Sequence, residues 1–268
     1  MFKSEIYKII KNKRSKFFII LVILIPIFDI VIHFFEAYME YFTNLQGYPN
    51  GFPKHYIYEP NFATFLPGNS IGHIPQMLLL WILPIYVLLI YSDSYVREKQ
   101  SGYNSIIFSK YSRKEIIRTK LLVSFVVFFT IVFIGLFINF ILAQIVFKGG
   151  TWNPIEHLTD MNSVFELSKK WPLITNIVYI IMVSLIAGGC GILCTSLSFL
   201  IPNYKVLYPV AFLLWVFQIA SKYSLMYVVQ PFIEYGVDYI IPALITYNLC
   251  IIIVTIVAYI KKVKYDEI

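Results

Sequence analysis

Charge is what this chain has least of. Asp, Glu, Lys and Arg make up 14% of its 268 residues and hydrophobic residues 59%. Soluble domains carry about a quarter charged residues, so the balance excludes an ordinary soluble domain and points to the membrane class. Cysteine is scarce too. Cys190, Cys194 and Cys250 all fall in apolar stretches, which excludes a disulfide framework and zinc-ligand spacing.

Sites for chemistry are also missing. There is no G-x-x-x-x-G-K-[ST]; Gly188-Gly189-Cys190-Gly191 lacks the lysine and sits in an apolar segment, so the chain does not cradle ATP phosphates by that route. There is no H-E-x-x-H, and the four histidines (His33, His55, His73, His157) are scattered. No G-x-S-x-G elbow occurs, nor any aspartate pair of the kind that holds magnesium and a diphosphate. The net charge of +7 does not imply nucleic acid, because the cations flank apolar segments instead of forming one face. Any energy the protein uses is expected to come from a partner.

What the chain does have is long apolar runs separated by basic or aromatic gaps. Met1–Lys16 is basic, with Phe2, Ile6, Ile9 and Ile10 at helical spacing. That pattern fits an amphipathic helix on the membrane face, or a charged flank anchoring the next segment. The apolar run after Lys16 exceeds the ~7–15 residues of a signal-peptide core, and no small-x-small site follows, so it reads as a retained span. A span needs roughly 20 apolar residues. Six segments qualify, at about 17–35, 74–91, 121–147, 172–200, 204–220 and 240–260, with a kink expected at Pro26. Residues 36–73 form an aromatic, Pro- and Gly-punctuated outer loop. Residues 221–239 are too interrupted to cross and are expected to form short re-entrant helices.

Lysine and arginine orient the arrangement. Of the 22, only Lys54, Lys148, Lys169, Lys170 and Lys222 fall on one set of loops; the other seventeen fall on the opposite set, which by the positive-inside bias is cytoplasmic. The expectation is an all-α integral membrane protein, multi-pass in the plasma membrane. It is one domain over residues 1–268, with six transmembrane helices, both termini cytoplasmic, an interfacial helix over 1–16 and a cytoplasmic coupling loop over 92–120.

Two stripes stand out within the spans. Asp29, His33, Glu36 and Glu40 share one helical face. They either line a path or interface, or Asp29 and His33 satisfy each other near the outer surface; a single helix rarely converges enough ligands for a metal. Ser184, Gly188, Gly191, Thr195 and Ser198 make a narrow face of small residues, suited to close helix packing or to a smooth cavity wall.

The long basic loop carries a resemblance. It reads Glu98-Lys99-Gln100-Ser101-Gly102, then Ile106-Ile107-Phe108, then Ser112-Arg113, then Lys120 entering the third span. Here the chain resembles the membrane subunits (permeases) of ABC-2 type ABC transporters. It matches at Glu98, Gly102, Ser112, Arg113 and Lys120 and departs at Tyr111, where proline is common. The resemblance implies a non-catalytic subunit, paired as a homodimer or heterodimer in the lipid bilayer, that exports cargo using an ABC ATPase subunit; ATP and Mg bind that partner and no cofactor binds this chain. It implies ATPase docking through a coupling helix at about Ser101–Phe108, with Glu98, Ser101, Gly102, Tyr103, Ile106, Ile107, Phe108, Arg113 and Lys120 as the docking residues. Lipid contact is the other reading of the apolar residues there. The cargo implied is amphipathic or apolar, an antimicrobial or toxic peptide among the options. Two rival readings stay open: a membrane-bound immunity or sensor protein without transport, and an intramembrane enzyme using Asp29, His33 and Glu36.

Overall fold

The computed structural model describes residues 1–43, 57–66, 74–152, 170–230 and 236–265. Among these the architecture is all-helical, its one β feature an isolated bridge between Tyr58 and Trp152. The helices are α1 (Phe2–Lys11), α2 (Lys13–Thr43), α3 (Ile74–Trp81), α4 (Leu83–Val87, continuing as a π-helical turn Leu88–Ser92), α5 (Ser94–Gln100), α6 (Tyr103–Phe108), α7 (Arg113–Val146), α8 (Pro172–Leu200), α9 (Tyr204–Ala220), α10 (Met226–Val229) and α11 (Val237–Ile260, followed by a π turn Lys261–Tyr265).

Four of these are long and apolar enough to cross a bilayer: α2, α7, α8 and α11, the last counted with its π turn to Val263. The pair α3 and α4 becomes a fifth crossing if its bent halves are taken together. The chain is a multi-pass membrane protein by this measure. Helix α9 has 17 residues, about 25 Å at the helical rise against roughly 30 Å of hydrocarbon, which makes it the shortest of the apolar helices expected to span.

Helix α8 is the axis of the bundle. It is the most buried of the four long apolar helices, and α11, at the periphery, is the least. The reason is the small-residue face. A Cβ at Gly188 would come within 2.8 Å of the Phe125 ring, and one at Gly191 within 2.7 Å of Phe128 and 2.8 Å of the Ser124 hydroxyl. Helix α7 therefore rides directly on the α8 backbone, and Ser184, Thr195 and Ser198 are buried along the same seam. Gly189 points the other way, where a Cβ would meet Tyr247 and Ile251 of α11 at 2.9 Å. In lipid there is no hydrophobic drive between helices, so such close approach is what holds them.

Two prolines decide where the helices adapt. Pro84 withholds the N–H that the Leu80 carbonyl would take in a straight helix. The backbone breaks at Ile82 and the two halves bend by 56°, and the indole of Trp215 on α9 donates to Leu80 O at 2.8 Å instead. The expected single span over 74–91 is thus two segments meeting at an elbow. Pro26 is different: α2 runs through it as one helix. Gly135 lets α7 approach at that level, with a virtual Cβ 3.4 Å from Ile23 Cα, and Asn139 donates to Pro26 O at 2.7 Å.

Helix boundaries differ from the sequence reading in consistent ways. Helix α2 continues through Glu36 to Thr43, into what reads as loop, because no proline or glycine intervenes before Gly47. Helix α7 starts at Arg113, well inside the basic loop, where Ser112 Oγ accepts from the Glu115 N–H at 3.3 Å, a cap of the S-x-x-E type. The basic loop expected over 92–120 holds two short helices, α5 and α6, and the start of α7. Residues 231–235 lie outside the described residues; of the expected re-entrant segment, the structure describes α10, a single turn with Val228 and Val229 buried.

Candidate functional site

The groups of interest gather at the basic end of the bundle, where α1 and the root of α7 meet the junction of α4 and α5, a second elbow distinct from the one at Ile82. Helix α1 forms as its apolar spacing predicts, with Glu5 in its first turn and Lys8 and Lys11 in its last, the signs that suit the helix dipole. It turns at Asn12, whose Oδ1 accepts from Arg14 N at 2.9 Å and starts α2. This places Glu5 and Ile9 inward.

Two linked ion clusters result. In the first, Lys8 Nζ lies 2.6 Å from Glu5 Oε1 and 2.9 Å from Glu98 Oε1. Lys120 Nζ, on α7, lies 2.8 Å from Glu98 Oε2 and 3.3 Å from Glu5 Oε2, with the Ser94 hydroxyl also at 3.3 Å. Tyr91 donates to Glu5 Oε2 at 2.8 Å. Lys120 has no exposed surface at all. In the second cluster Asp93 receives Arg14 at 2.6 Å and Arg97 at 3.0 Å, and Tyr208 of α9 donates to it at 3.0 Å. Four separate elements (α1, the start of α2, the elbow and α7) are tied by buried charge at one level. Deeper in, the hydroxyls of Ser92, Ser124 and Thr195 form a triangle of 2.9 to 3.1 Å that joins α4, α7 and α8.

The electrostatics are those of a lattice in which every carboxylate of the two clusters is paired. Burial alone would raise the Glu5 carboxyl, but the Lys120 and Lys8 ammoniums and the Tyr91 hydroxyl outweigh it and hold its pKa below the ordinary value. For Lys8 burial works downward, and its bonds to Glu5 and Glu98 outweigh it, so its pKa is raised. Both shifts favour the charged forms.

The expected docking residues divide. Glu98 and Lys120 turn inward and hold the elbow together; neither presents a surface for a direct docking contact, because each is spent on buried counter-charges. Ser101 and Gly102 are exposed at the corner between α5 and α6. Gly102 adopts φ 73° and its N–H reaches Lys99 O at 3.2 Å, a left-handed helix terminus that favours glycine. On α6, Tyr103, Ile106 and Phe108 face outward, Ile106 at 54% exposure, while Ile107 is buried. Arg113 lies over the Phe108 ring at 5.6 Å, bracing α6 against the start of α7.

The acidic stripe lies at the other end. His33 sits between Asp29 at 3.6 Å and Glu36 at 3.4 Å. Asp29 and His33 are buried and Glu36 is exposed; the side chain of Glu40 lies outside the described residues. The His33 ring packs on Tyr58 at 5.8 Å, and Tyr58 is in turn pinned to Trp152 at 4.5 Å. Burial, then the charge of Glu36, raises the Tyr58 hydroxyl pKa. The stripe is therefore capped by loop residues. Beside it, residues 57–66 are tied in by neutral amides: Asn139 Oδ1 accepts from Phe65 N at 2.9 Å, and Asn176 bonds Thr64 and the Asn61 carbonyl, each at 2.9 Å.

Sequence reasoning missed Glu5, Lys8, Arg14, Tyr91, Asp93, Ser94, Arg97 and Tyr208. A signal existed: Glu5 is the lone acid of the first sixteen residues, and Asp93 and Glu98 are among the few in the long basic loop. An acid that interrupts a strongly basic flank is a candidate for pairing.

The protein YybM of Bacillus subtilis (strain 168) is 36% identical to this chain over 228 residues, which cover 84% of each of the two. The chain belongs to the same family. YybM carries no assigned activity, so the relation says family and not function. No family model and no solved structure matches the chain.

Proposed function

We propose that this member of the YybM family is the membrane-embedded permease subunit of an ABC exporter. It would cross the plasma membrane six times, with α9 and the α3–α4 pair as crossings and both termini cytoplasmic, and it would be driven by ATP hydrolysis in a separate subunit. The observation that carries the reading is the mechanical build of the basic end. Helix α6 offers an apolar face to the outside, and the elbow it hangs from is locked to α1 and to the root of α7 through Glu5, Lys8, Glu98 and Lys120. A force applied to α6 cannot be absorbed locally. It passes into α7, and through the Gly188/Gly191 seam into α8, as rigid-body motion.

The excess of lysine and arginine at this end supports a cytoplasmic placement, where an ATPase would be met. Tyr103, Ile106 and Phe108 serve as anchors of a short helix in a partner's groove. Cargo of amphipathic or apolar character, a toxic peptide included, suits a bundle whose spans carry so few charges. The enzyme reading of Asp29, His33 and Glu36 has less support, since Tyr58 and Trp152 close over His33.

The test is co-purification of the affinity-tagged chain from its own membranes. An ATPase subunit carrying a P-loop should come down with it, and Ile106→Asp together with Phe108→Asp should release that subunit while the permease stays folded. Failure to recover any ATPase, or its retention by the double variant, would sink the transporter reading.

A further inference from the structure

Beside the ion lattice lies an open cavity of about 360 Å³. Its polar wall includes Lys8, Asn12, Arg97, Ser101 and Glu98, its apolar wall Ile9 and Ile90. A few converging donors set in apolar surface, in a volume of a few hundred Å³, is the make-up of a small-ligand site. The sign of the ligand follows from the charges. The lattice holds four cations (Lys8, Arg14, Arg97, Lys120) and three carboxylates (Glu5, Asp93, Glu98). Glu98 is covered by Lys8 and Lys120, and Asp93 by Arg14 and Arg97. One positive charge is left over. The Arg97 side chain is 33% exposed, reaches Asp93 through one of its nitrogens and lines the cavity, so most of its donor fork remains for another acceptor.

We propose that this cavity binds a phosphate-bearing anion, whose negative charge completes the lattice through Arg97 and Lys8. Guanidinium and ammonium groups with hydroxyl and amide donors are the set that phosphate takes. The source is either an anionic lipid headgroup, drawn from the leaflet the basic flanks face, or a soluble phosphate. Bound there, the anion bridges α1 and α5 and makes the elbow stiffer. The inference does not depend on the transport reading, and its test involves no ATPase.

The experiment uses the full-length protein in detergent micelles. Its melting temperature is measured with phosphatidylglycerol or phosphatidylcholine at matched mole fraction, and separately with inorganic phosphate against chloride at matched ionic strength. Phosphatidylglycerol should raise Tm above phosphatidylcholine, as a ligand of the folded state must; a rise with inorganic phosphate as well assigns the site to the phosphate group alone. Arg97→Gln should remove about half or more of the increment. Ser101→Trp, which fills the cavity without altering charge, should do the same. Lys16→Gln changes an exposed lysine outside the cavity and should leave the increment intact. The proposal is overturned if neither phosphatidylglycerol nor phosphate raises Tm. It is also overturned if both cavity variants respond like the wild type, or if Lys16→Gln loses as much as Arg97→Gln, which would mean bulk surface charge alone.

Discussion

The two ends of this bundle solve the same problem with different chemistry. Each must fix non-spanning chain onto the long helices. At the basic end the fasteners are charges: Lys120 and Lys8 against Glu5 and Glu98, Arg14 and Arg97 against Asp93. At the opposite end the fasteners for residues 57–66 are neutral amides, Asn139, Asn176 and Asn61, bonded to backbone carbonyls, a backbone N–H and a threonine. A buried charge pair is all or nothing, because removing one partner strands the other. A buried amide fails by smaller steps, one hydrogen bond at a time. A single substitution is thus expected to cost more at the basic end than at the amide end.

The largest expected effect is at Lys120. Lys120→Met leaves Glu5 and Glu98 sharing one ammonium and should destabilise the protein by about 3–5 kcal/mol, read as a fall in Tm in detergent. A triple variant that also converts Glu5 and Glu98 to glutamine should recover a large part of that loss, and no recovery would mean the pairs are not the cause. Asn139→Leu is the matched break at the other end. It orphans Phe65 N and should cost about 1–3 kcal/mol; a loss equal to that of Lys120→Met would erase the contrast between the ends. Gly102→Ala places a side chain at φ 73° and should cost about 1–2 kcal/mol by the same measurement, with Gly102→Asn milder because asparagine tolerates that backbone better.

The smallest effect is pH. The Glu5 pKa lies below 4.5 in the fold, so its contribution is complete above that value and lost as pH falls through the lowered one. The Lys8 pKa lies above 10.5, so its contribution is complete below that value and lost as pH rises through the raised one. Tm should be flat between these limits as far as these two groups go, and the acid limb should flatten in Glu5→Gln. An acid limb unchanged by that substitution would show that other carboxylates carry it.

Much of this was legible in the residues. Apolar runs and their basic flanks set which segments are long enough to cross, since length and hydropathy are local properties. The glycines of α8 announced a close contact by their spacing, whereas the start of α7 at Arg113, ahead of the expected span, was not read although Ser112 and Glu115 stand at S-x-x-E spacing. The pairing of the acids was not legible. Glu5, Asp93, Glu98 and Lys120 lie up to 115 positions apart, and no local rule says which lysine meets which carboxylate.

Sequence alone determined a multi-pass, all-helical membrane protein with one strongly basic side, because the bilayer reads composition segment by segment. Tertiary structure alone decided that Glu98 and Lys120 look inward instead of toward a partner. It decided that Trp215 takes the carbonyl Pro84 abandons. It also decided that the lattice closes one carboxylate short, because charge balance is a property of groups brought together in space and not of their order along the chain.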